Sequence, residues 1–181
     1  MFIFVIKYFI AMRTSFITDS EEIGKIISER QICFVGMVDE DGSPYVIPMN
    51  FGYADGKIIL HSDPHGKHVS LLEKDNRVCV TFCTDNNRIF YQHLDVACSY
   101  SMESKSVLVR GKIQFIEDLE EKDRLMKLFM KHYTEREFKI STPAIRNVKI
   151  WLLEPEKITA KAFGQNFKYK DNYLPVDKKG E

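Results

Sequence analysis

The feature of this 181-residue sequence that most constrains its fold is a series of β-type runs separated by very short turns. Three such runs occupy residues 32–38, 45–53 and 57–62, and they are joined by residues 39–42 and 54–56. Both connections end in glycine that follows aspartate, the pair typical of tight β-hairpin turns. The pattern therefore predicts a three-stranded antiparallel meander.

The rest of the chain alternates single helices with further strands. Apolar residues at helical spacing predict helices at about residues 19–30, 67–75 and 119–133. β-branched and aromatic runs predict strands at residues 77–83, 106–117, 148–153 and 157–163, whereas residues 85–105 are interpreted as mostly loop. Six or seven strands with single helices between them favour an antiparallel barrel over a doubly wound parallel sheet. The predicted fold class is mainly β, a barrel with peripheral helices.

Composition excludes several classes of protein. Hydrophobic residues make up 44% of the sequence and charged residues 29%, which is too apolar for a disordered chain. Lysine plus arginine and aspartate plus glutamate number 26 each, so no broad positive field would attract nucleic acid or an anionic membrane. The four cysteines form no CxxC pair, which favours reduced thiols in a cytoplasmic protein.

The two ends of the chain are set apart from a domain expected at residues 13–165. Residues 1–12 are strongly apolar, but they are far shorter than the ~20 residues that a membrane span needs. Lys7 interrupts the apolar run, which also argues against a secretory signal. We expect an N-terminal extension or a start site placed too early, and a polar tail at residues 166–181.

Three of the five histidines, His61, His65 and His68, fall where a predicted strand gives way to a predicted helix. The first N–H groups of a helix have no partner within the helix, and Lys67 and His68 in its first turn oppose the helix dipole. A bound phosphate would accept hydrogen bonds from those N–H groups, from Ser62 and from Lys67. The alternative is a solvated basic turn without a ligand. A metal site is not predicted, because proline and glycine interrupt any helical ligand face.

Pro48 is a second irregular feature, because it lies inside the predicted strand at residues 45–53. Proline cannot donate to a sheet ladder, so it marks an edge, a bulge or a backbone that faces something other than a strand. Hairpin geometry would lay this strand beside residues 57–62 and thus near the predicted anion site. The alternative is an ordinary proline on an edge strand.

The sequence PYVIPMNFGY at residues 44–53, followed by GKIILHSDPHGKHVSLLEKDNRVCVTF at 56–82, resembles a known family. It is similar to the FMN-binding split-barrel superfamily of pyridoxamine 5′-phosphate oxidase, and within it to the nitroimidazole-resistance (Nim-type) flavoproteins. The similarity continues through residues 97–102 and 106–112, and it covers about residues 13–165.

The resemblance implies a homodimer of split barrels with two FMN molecules at the subunit interface. It implies that the isoalloxazine ring lies along Pro48, Met49, Asn50 and Phe51. It further implies that the ribityl phosphate is held by His61, Ser62, Lys67 and His68. Ser106 falls where the family places a residue that reaches the flavin from the partner subunit. FAD is a possible cofactor in place of FMN, and NAD(P)H is the external reductant expected from the family.

The function expected from the resemblance is an FMN-dependent oxidoreductase that reduces a small electron-poor molecule, such as a nitroimidazole or another nitroaromatic. No residue is assigned as an acid–base catalyst, since the flavin carries the chemistry. The family usually has two basic residues after the turn, and here they are Lys67 and His68, so phosphate affinity is expected to be weaker or pH-dependent. The alternatives are a pyridoxamine 5′-phosphate oxidase-related enzyme, which would lack that enzyme's arginine-rich C-terminal motif, and a non-catalytic protein that binds flavin or haem.

Overall fold

The fold is built on one antiparallel sheet of eight strands, described by a computed structural model for residues 14–84, 88–164 and 173–175. Its strands are β1 (Ser15–Ile17), β2 (Cys33–Val38), β3 (Pro44–Met49), β4 (Gly52–Ala54), β5 (Lys57–Ser62), β6 (Arg77–Cys83), β9 (Ser104–Ile116) and β10 (Lys149–Phe163). A second, three-stranded sheet contains β7 (Arg88–Tyr91), β8 (Tyr100–Met102) and β11 (Tyr173–Pro175). The helices are α1 (Ser20–Ser28), α2 (Lys67–Lys74), α3 (Leu119–Lys131) and α4 (Thr142–Arg146).

The large sheet follows the order β3-β2-β6-β9-β10-β5-β4, and β1 pairs with the last part of β10. The long strands β9 and β10 pair from Ile116 and Ile150 at one end to Ser104 and Phe163 at the other. This arrangement confirms the predicted fold, a mainly β split barrel with peripheral helices.

The core has two layers, separated by β5 and β10. The barrel interior contains the fully buried side chains of Leu60 and Trp151, together with the inward residues of β2, β6 and β9. On the other face of β5 and β10, Ile59 and Ile150 pack against Leu125 and Phe129 of α3. The two strands are apolar on both faces because α3 covers the face that would otherwise meet solvent.

The predicted three-stranded meander is wrong. Residues 45–53 are not one strand, because β3 ends at Met49 and β4 begins at Gly52. The two pieces lie at opposite ends of the sheet, and only β4 pairs with β5. We call residues 50–51 the chain break. Pro48 lies on the edge strand β3, which agrees with the alternative interpretation of that proline.

Two further predicted elements differ from the structure. The strands predicted at residues 148–153 and 157–163 are a single strand, β10, with a bulge between Pro155 and Lys157. The bulge accommodates the proline without ending the strand. Residues 85–105, predicted as mostly loop, contain β7 and β8, which pair with each other through Ile89–Met102 and Tyr91–Tyr100.

The terminal predictions fall largely outside the described residues. Residues 1–12 lie outside them entirely, and of residues 166–181 the structure describes only Tyr173–Pro175, which pairs with β7 as β11. Within the described residues, no helix has both the length and the apolar character required to cross a membrane.

Candidate functional site

The histidine-containing stretch forms the strand–turn–helix that the sequence predicts. β5 ends at Ser62 and α2 begins at Lys67, with Gly66 as the N-cap residue. Gly66 offers no capping side chain, and α2 has no acidic residue in its first turn. The first N–H groups of α2 therefore have no side-chain acceptor from the cap, so this end of the helix is suited to an anion.

The charge of Lys67 is balanced by a carboxylate. Its ammonium lies 2.6 Å from Oδ2 of Asp39, in the turn between β2 and β3, and 4.7 Å from the centre of the Tyr45 ring. The hydrogen bond between the two side chains raises the pKa of Lys67 and lowers that of Asp39. The compensation that the sequence analysis expected from a phosphate is thus supplied here by Asp39.

Ser62 and His68 meet around the buried indole of Trp151. The Ser62 hydroxyl donates to the Asp63 carbonyl at 2.8 Å and accepts from Nε1 of Trp151 at 3.2 Å. The His68 ring packs 5.2 Å from the indole, and its Nε2 is buried without a hydrogen-bond partner in the described part of the chain. Burial lowers the pKa of His68, although the nearby Asp63 carboxylate acts in the opposite direction.

His61 lies apart from these three residues. Its ring packs 4.8 Å from Phe129 of α3, on the face of β5 opposite to the one that carries Ser62. Burial lowers the pKa of His61. The structure therefore brings Ser62 and His68 together beside Trp151, at the start of α2. It directs the Lys67 ammonium to Asp39, and it places His61 under α3.

The four residues predicted to lie along the isoalloxazine differ in exposure around the chain break. Pro48 and Asn50 are exposed, Met49 is half-buried, and Phe51 is fully buried. The Phe51 ring packs 4.8 Å from Phe82 in the barrel core. Phe51 thus contributes its side chain to the core, whereas the other three residues are accessible at this edge of the barrel.

Two residues at the end of α3 make hydrogen bonds to the chain break and to residues 30–31. The Tyr133 hydroxyl accepts the backbone N–H of Phe51 at 2.9 Å and donates to the carbonyl of Gln31 at 2.9 Å. Nε2 of His132 lies 2.6 Å from the carbonyl oxygen of Arg30, so this nitrogen carries the proton that is shared. We call Tyr133 and His132 the α3 clamp. No local sequence pattern predicts the α3 clamp, because helical spacing marks these two residues only as the end of a helix.

An apolar row crosses the outward face of the sheet beside the chain break. The register aligns Pro48, Phe34, Thr81 and Leu108 across β3, β2, β6 and β9. Phe34 is 48% exposed, and Val46 of β3 is 59% exposed. We call this surface the outer face. Ser106 is on the same face of β9 as Leu108, paired with Cys83 and Lys161.

Metal ligands are not grouped at this site. Among residues 14–84, 88–164 and 173–175, no three histidine, cysteine, aspartate or glutamate side chains cluster as metal ligands would. The donors at the start of α2 are hydroxyl, ammonium, imidazole and backbone N–H groups, which suit an oxyanion. The carboxylates of Asp39 and Asp63 lie beside them.

Comparisons with known proteins identify relatives of this sequence. The family profile for pyridoxamine 5′-phosphate oxidase matches residues 19–162. A crystal structure from Bacteroides thetaiotaomicron VPI-5482, of a protein provisionally named a 5-nitroimidazole antibiotic resistance protein, is 45% identical, with a TM-score of 0.77 over 84% of this chain and 89% of that chain. No curated protein matches the sequence.

Two more distant structures share the fold. The FAD and heme binding protein from Mycobacterium smegmatis is 15% identical, with a TM-score of 0.73 over 90% of this chain and 83% of that chain. The flavocytochrome Anf3 from Azotobacter vinelandii is 19% identical, with a TM-score of 0.71 over 86% and 71%. At these identities the likeness concerns the fold alone.

Proposed function

This chain belongs to the pyridoxamine 5′-phosphate oxidase family, and we propose that it is a Nim-type, FMN-dependent oxidoreductase that acts as a homodimer. Its substrate is a small electron-poor molecule, such as a nitroimidazole or another nitroaromatic, and NAD(P)H is the external reductant. The relative that is 45% identical over most of both chains supports the nitroimidazole class.

One observation carries the proposal of a phosphate-bearing flavin, namely the group of donors at the start of α2. The helix has no capping side chain, Lys67 is its first residue, and His68 Nε2 is a buried polar atom without a partner in the described residues. A phosphate monoester would accept hydrogen bonds from all of these groups. The residues present therefore fit the phosphate of FMN.

The ring system of the flavin is proposed to lie along Pro48, Met49 and Asn50. These residues are accessible at the barrel edge, and they adjoin the outer face. The exposed apolar side chains of Phe34 and Val46 on that face support a second copy of the chain as its partner. In such a homodimer Ser106 is a candidate to reach the flavin of the partner subunit.

When bound, the flavin would supply the redox chemistry, accepting a hydride equivalent from the reductant and passing electrons to the substrate. The chain's own residues would bind and orient the flavin. Ser62, Lys67 and His68 would hold its phosphate, and residues 48–50 would border its ring. His61 lies against Phe129 on the opposite face of β5, and it is assigned no contact with the phosphate.

The proposal is tested by reconstitution. Purified protein is incubated with FMN or FAD, and unbound flavin is removed. The visible spectrum is then recorded, and NAD(P)H oxidation is followed with and without a nitroimidazole. We expect a yellow protein whose NAD(P)H oxidation depends on the nitroimidazole. A protein that stays colourless would contradict flavin binding. Bound flavin without turnover would favour the non-catalytic alternative, and pyridoxal 5′-phosphate formation would favour the oxidase alternative.

A further inference from the structure

We infer that Tyr133 and His132, the α3 clamp, are positioning residues that hold the chain break in the conformation that borders the flavin ring. The inference rests on the proposed flavin function. It concerns two residues that the sequence pattern does not connect with a cofactor, and it assigns them no contact with the flavin itself.

The chain break needs such support because neither of its two residues belongs to a strand. Phe51 donates its N–H to the Tyr133 hydroxyl rather than to a neighbouring strand. The Asn50 side-chain amide donates to the Gln31 carbonyl at 3.3 Å, the same oxygen to which Tyr133 donates. The Tyr133 hydroxyl is therefore hydrogen-bonded both to the chain break and to the turn that precedes β2.

His132 completes the arrangement. Its ring packs 4.4 Å from that of Phe51, while its Nε2–H donates to Arg30, next to Gln31 in the chain. Both members of the clamp therefore connect the end of α3 to the same two segments, the chain break and residues 30–31. A change in either side chain would loosen the backbone beside Asn50.

The α3 clamp has a fixed position relative to the sheet, because α3 is in close contact with β4. A Cβ atom placed on Gly52 would lie 2.6 Å from the Cα of Phe129, closer than such atoms approach in proteins. Gly52 directly follows the chain break, so this contact also fixes the position of α3 relative to the chain break. A ligand that meets a preorganised segment loses less free energy to ordering on binding.

The experiment compares Tyr133→Phe with Tyr53→Phe as a matched control. Tyr53 lies two residues from Phe51, and its hydroxyl makes no hydrogen bond among residues 14–84 and 88–164. Three quantities are measured: the FMN dissociation constant from quenching of flavin fluorescence, the midpoint potential of the bound flavin, and the thermal midpoint of the flavin-free protein. The potential reports the surroundings of the ring, which a purely structural role would leave unchanged.

We expect Tyr133→Phe to raise the FMN dissociation constant about tenfold, because the variant must order the chain break, at a cost of about one hydrogen bond, when FMN binds. We also expect it to shift the midpoint potential by more than the difference between wild type and Tyr53→Phe. Wild-type affinity and potential in Tyr133→Phe would overturn the inference, as would a lowered thermal midpoint alone. Failure of the wild-type protein to bind FMN would instead contradict the proposed function.

A second pair of variants covers the case in which Tyr133→Phe does not fold. His132→Gln keeps a side-chain N–H that can donate to Arg30, whereas His132→Leu removes it. We expect flavin affinity and potential to stay closer to wild type in His132→Gln than in His132→Leu. Equal behaviour of the two variants, with both matching the wild type, would contradict the positioning role.

Discussion

The ammonium of Lys67, at the start of α2, lies 2.6 Å from the carboxylate of Asp39, in the turn between β2 and β3. Each partner shifts the pKa of the other toward the charged form. A lysine proposed to hold phosphate thus already has an anionic partner, supplied by a residue 28 positions away in the chain. A bound phosphate and Asp39 would compete for the same ammonium.

This competition predicts that Asp39→Asn strengthens FMN binding. The amide removes a negative charge near the phosphate and frees Lys67, while its oxygen can still accept the hydrogen bond from the N–H of Glu40. We expect the dissociation constant to fall about threefold, in keeping with the small net free energy of an exposed ion pair. Titration with riboflavin, which lacks the phosphate, is the control and should give equal affinities for both proteins. A weaker affinity of Asp39→Asn for FMN would contradict the competition.

Lys67→Ala is predicted to weaken FMN binding. The variant loses one charge-assisted hydrogen bond, which contributes roughly 1.5–3 kcal/mol, so the dissociation constant should rise at least tenfold. Lys74→Ala is the matched control, because Lys74 ends the same helix and pairs with Glu40 in the same turn as Asp39. Both affinities are measured by fluorescence titration. An unchanged titration of Lys67→Ala would exclude Lys67 as a phosphate ligand.

Features of the fold with a local cause could be predicted from the sequence, whereas features set by contacts between distant residues could not. The turns at residues 39–42 and 54–56 were predictable, because Gly42, Asp55 and Gly56 supply the positive φ angles of 84°, 51° and 74° that tight turns need. The separation of β3 from β4 was not. At the chain break Phe51 donates its N–H to Tyr133, 82 residues later, and no local pattern encodes a contact over that distance.

The same division between local and distant causes holds for the candidate site. The strand–turn–helix at residues 61–68 follows from local signals, and the structure confirms it. The pairing of Lys67 with Asp39 and the contact of His61 with Phe129 depend instead on which elements the barrel brings together. Strand alternation places His61 and Ser62 on opposite sides of β5, whereas tertiary contacts decide what each side meets.

Gly52→Ala is predicted to destabilise the protein. Its Cβ would meet backbone atoms of Phe129 at 2.6 Å, so α3 would have to move away from β4. Overpacking of this kind costs about 1–3 kcal/mol in the free energy of unfolding. Gly24→Ala, inside α1, is the control, because its Cβ would lie no closer than 3.7 Å to Tyr53 and alanine favours a helix. Urea denaturation should give a lower stability for Gly52→Ala and an equal or higher one for Gly24→Ala.

Val46→Asp is predicted to convert the proposed homodimer to a monomer. Val46 is 59% exposed on the outer face, and a carboxylate there would be buried without a partner when a second copy packs against it. Val46→Thr has nearly the same shape and no charge, so it should remain dimeric. Light scattering coupled to size-exclusion chromatography gives the mass of each protein. A wild-type protein that elutes as a monomer, or a dimeric Val46→Asp, would contradict this interface.

The half-buried histidines His61 and His68 predict that the flavin-free protein loses stability as the pH falls below about 6.5, the pKa that a histidine has in an unfolded chain. Burial lowers the pKa of His61 and His68, so between the folded and unfolded values the unfolded chain binds more protons. Protons therefore favour unfolding, by less than the limit of about 1.4 kcal/mol per pH unit for each histidine, because both side chains are partly exposed and solvent screens them. The carboxylates whose pKa is lowered, among them Asp39 and Glu117, affect stability only near and below pH 4.5.

The measurement is urea denaturation of the flavin-free protein at pH 7.5, 6.5 and 5.5. We expect the free energy of unfolding of the wild type to decrease over this range. His61→Phe keeps an aromatic ring against Phe129 and cannot take up a proton, so its decrease should be smaller. His65→Gln changes an exposed histidine in the same turn and should follow the wild type. If His61→Phe lost as much stability as the wild type between pH 7.5 and 5.5, burial of His61 in the native state would not explain the pH dependence.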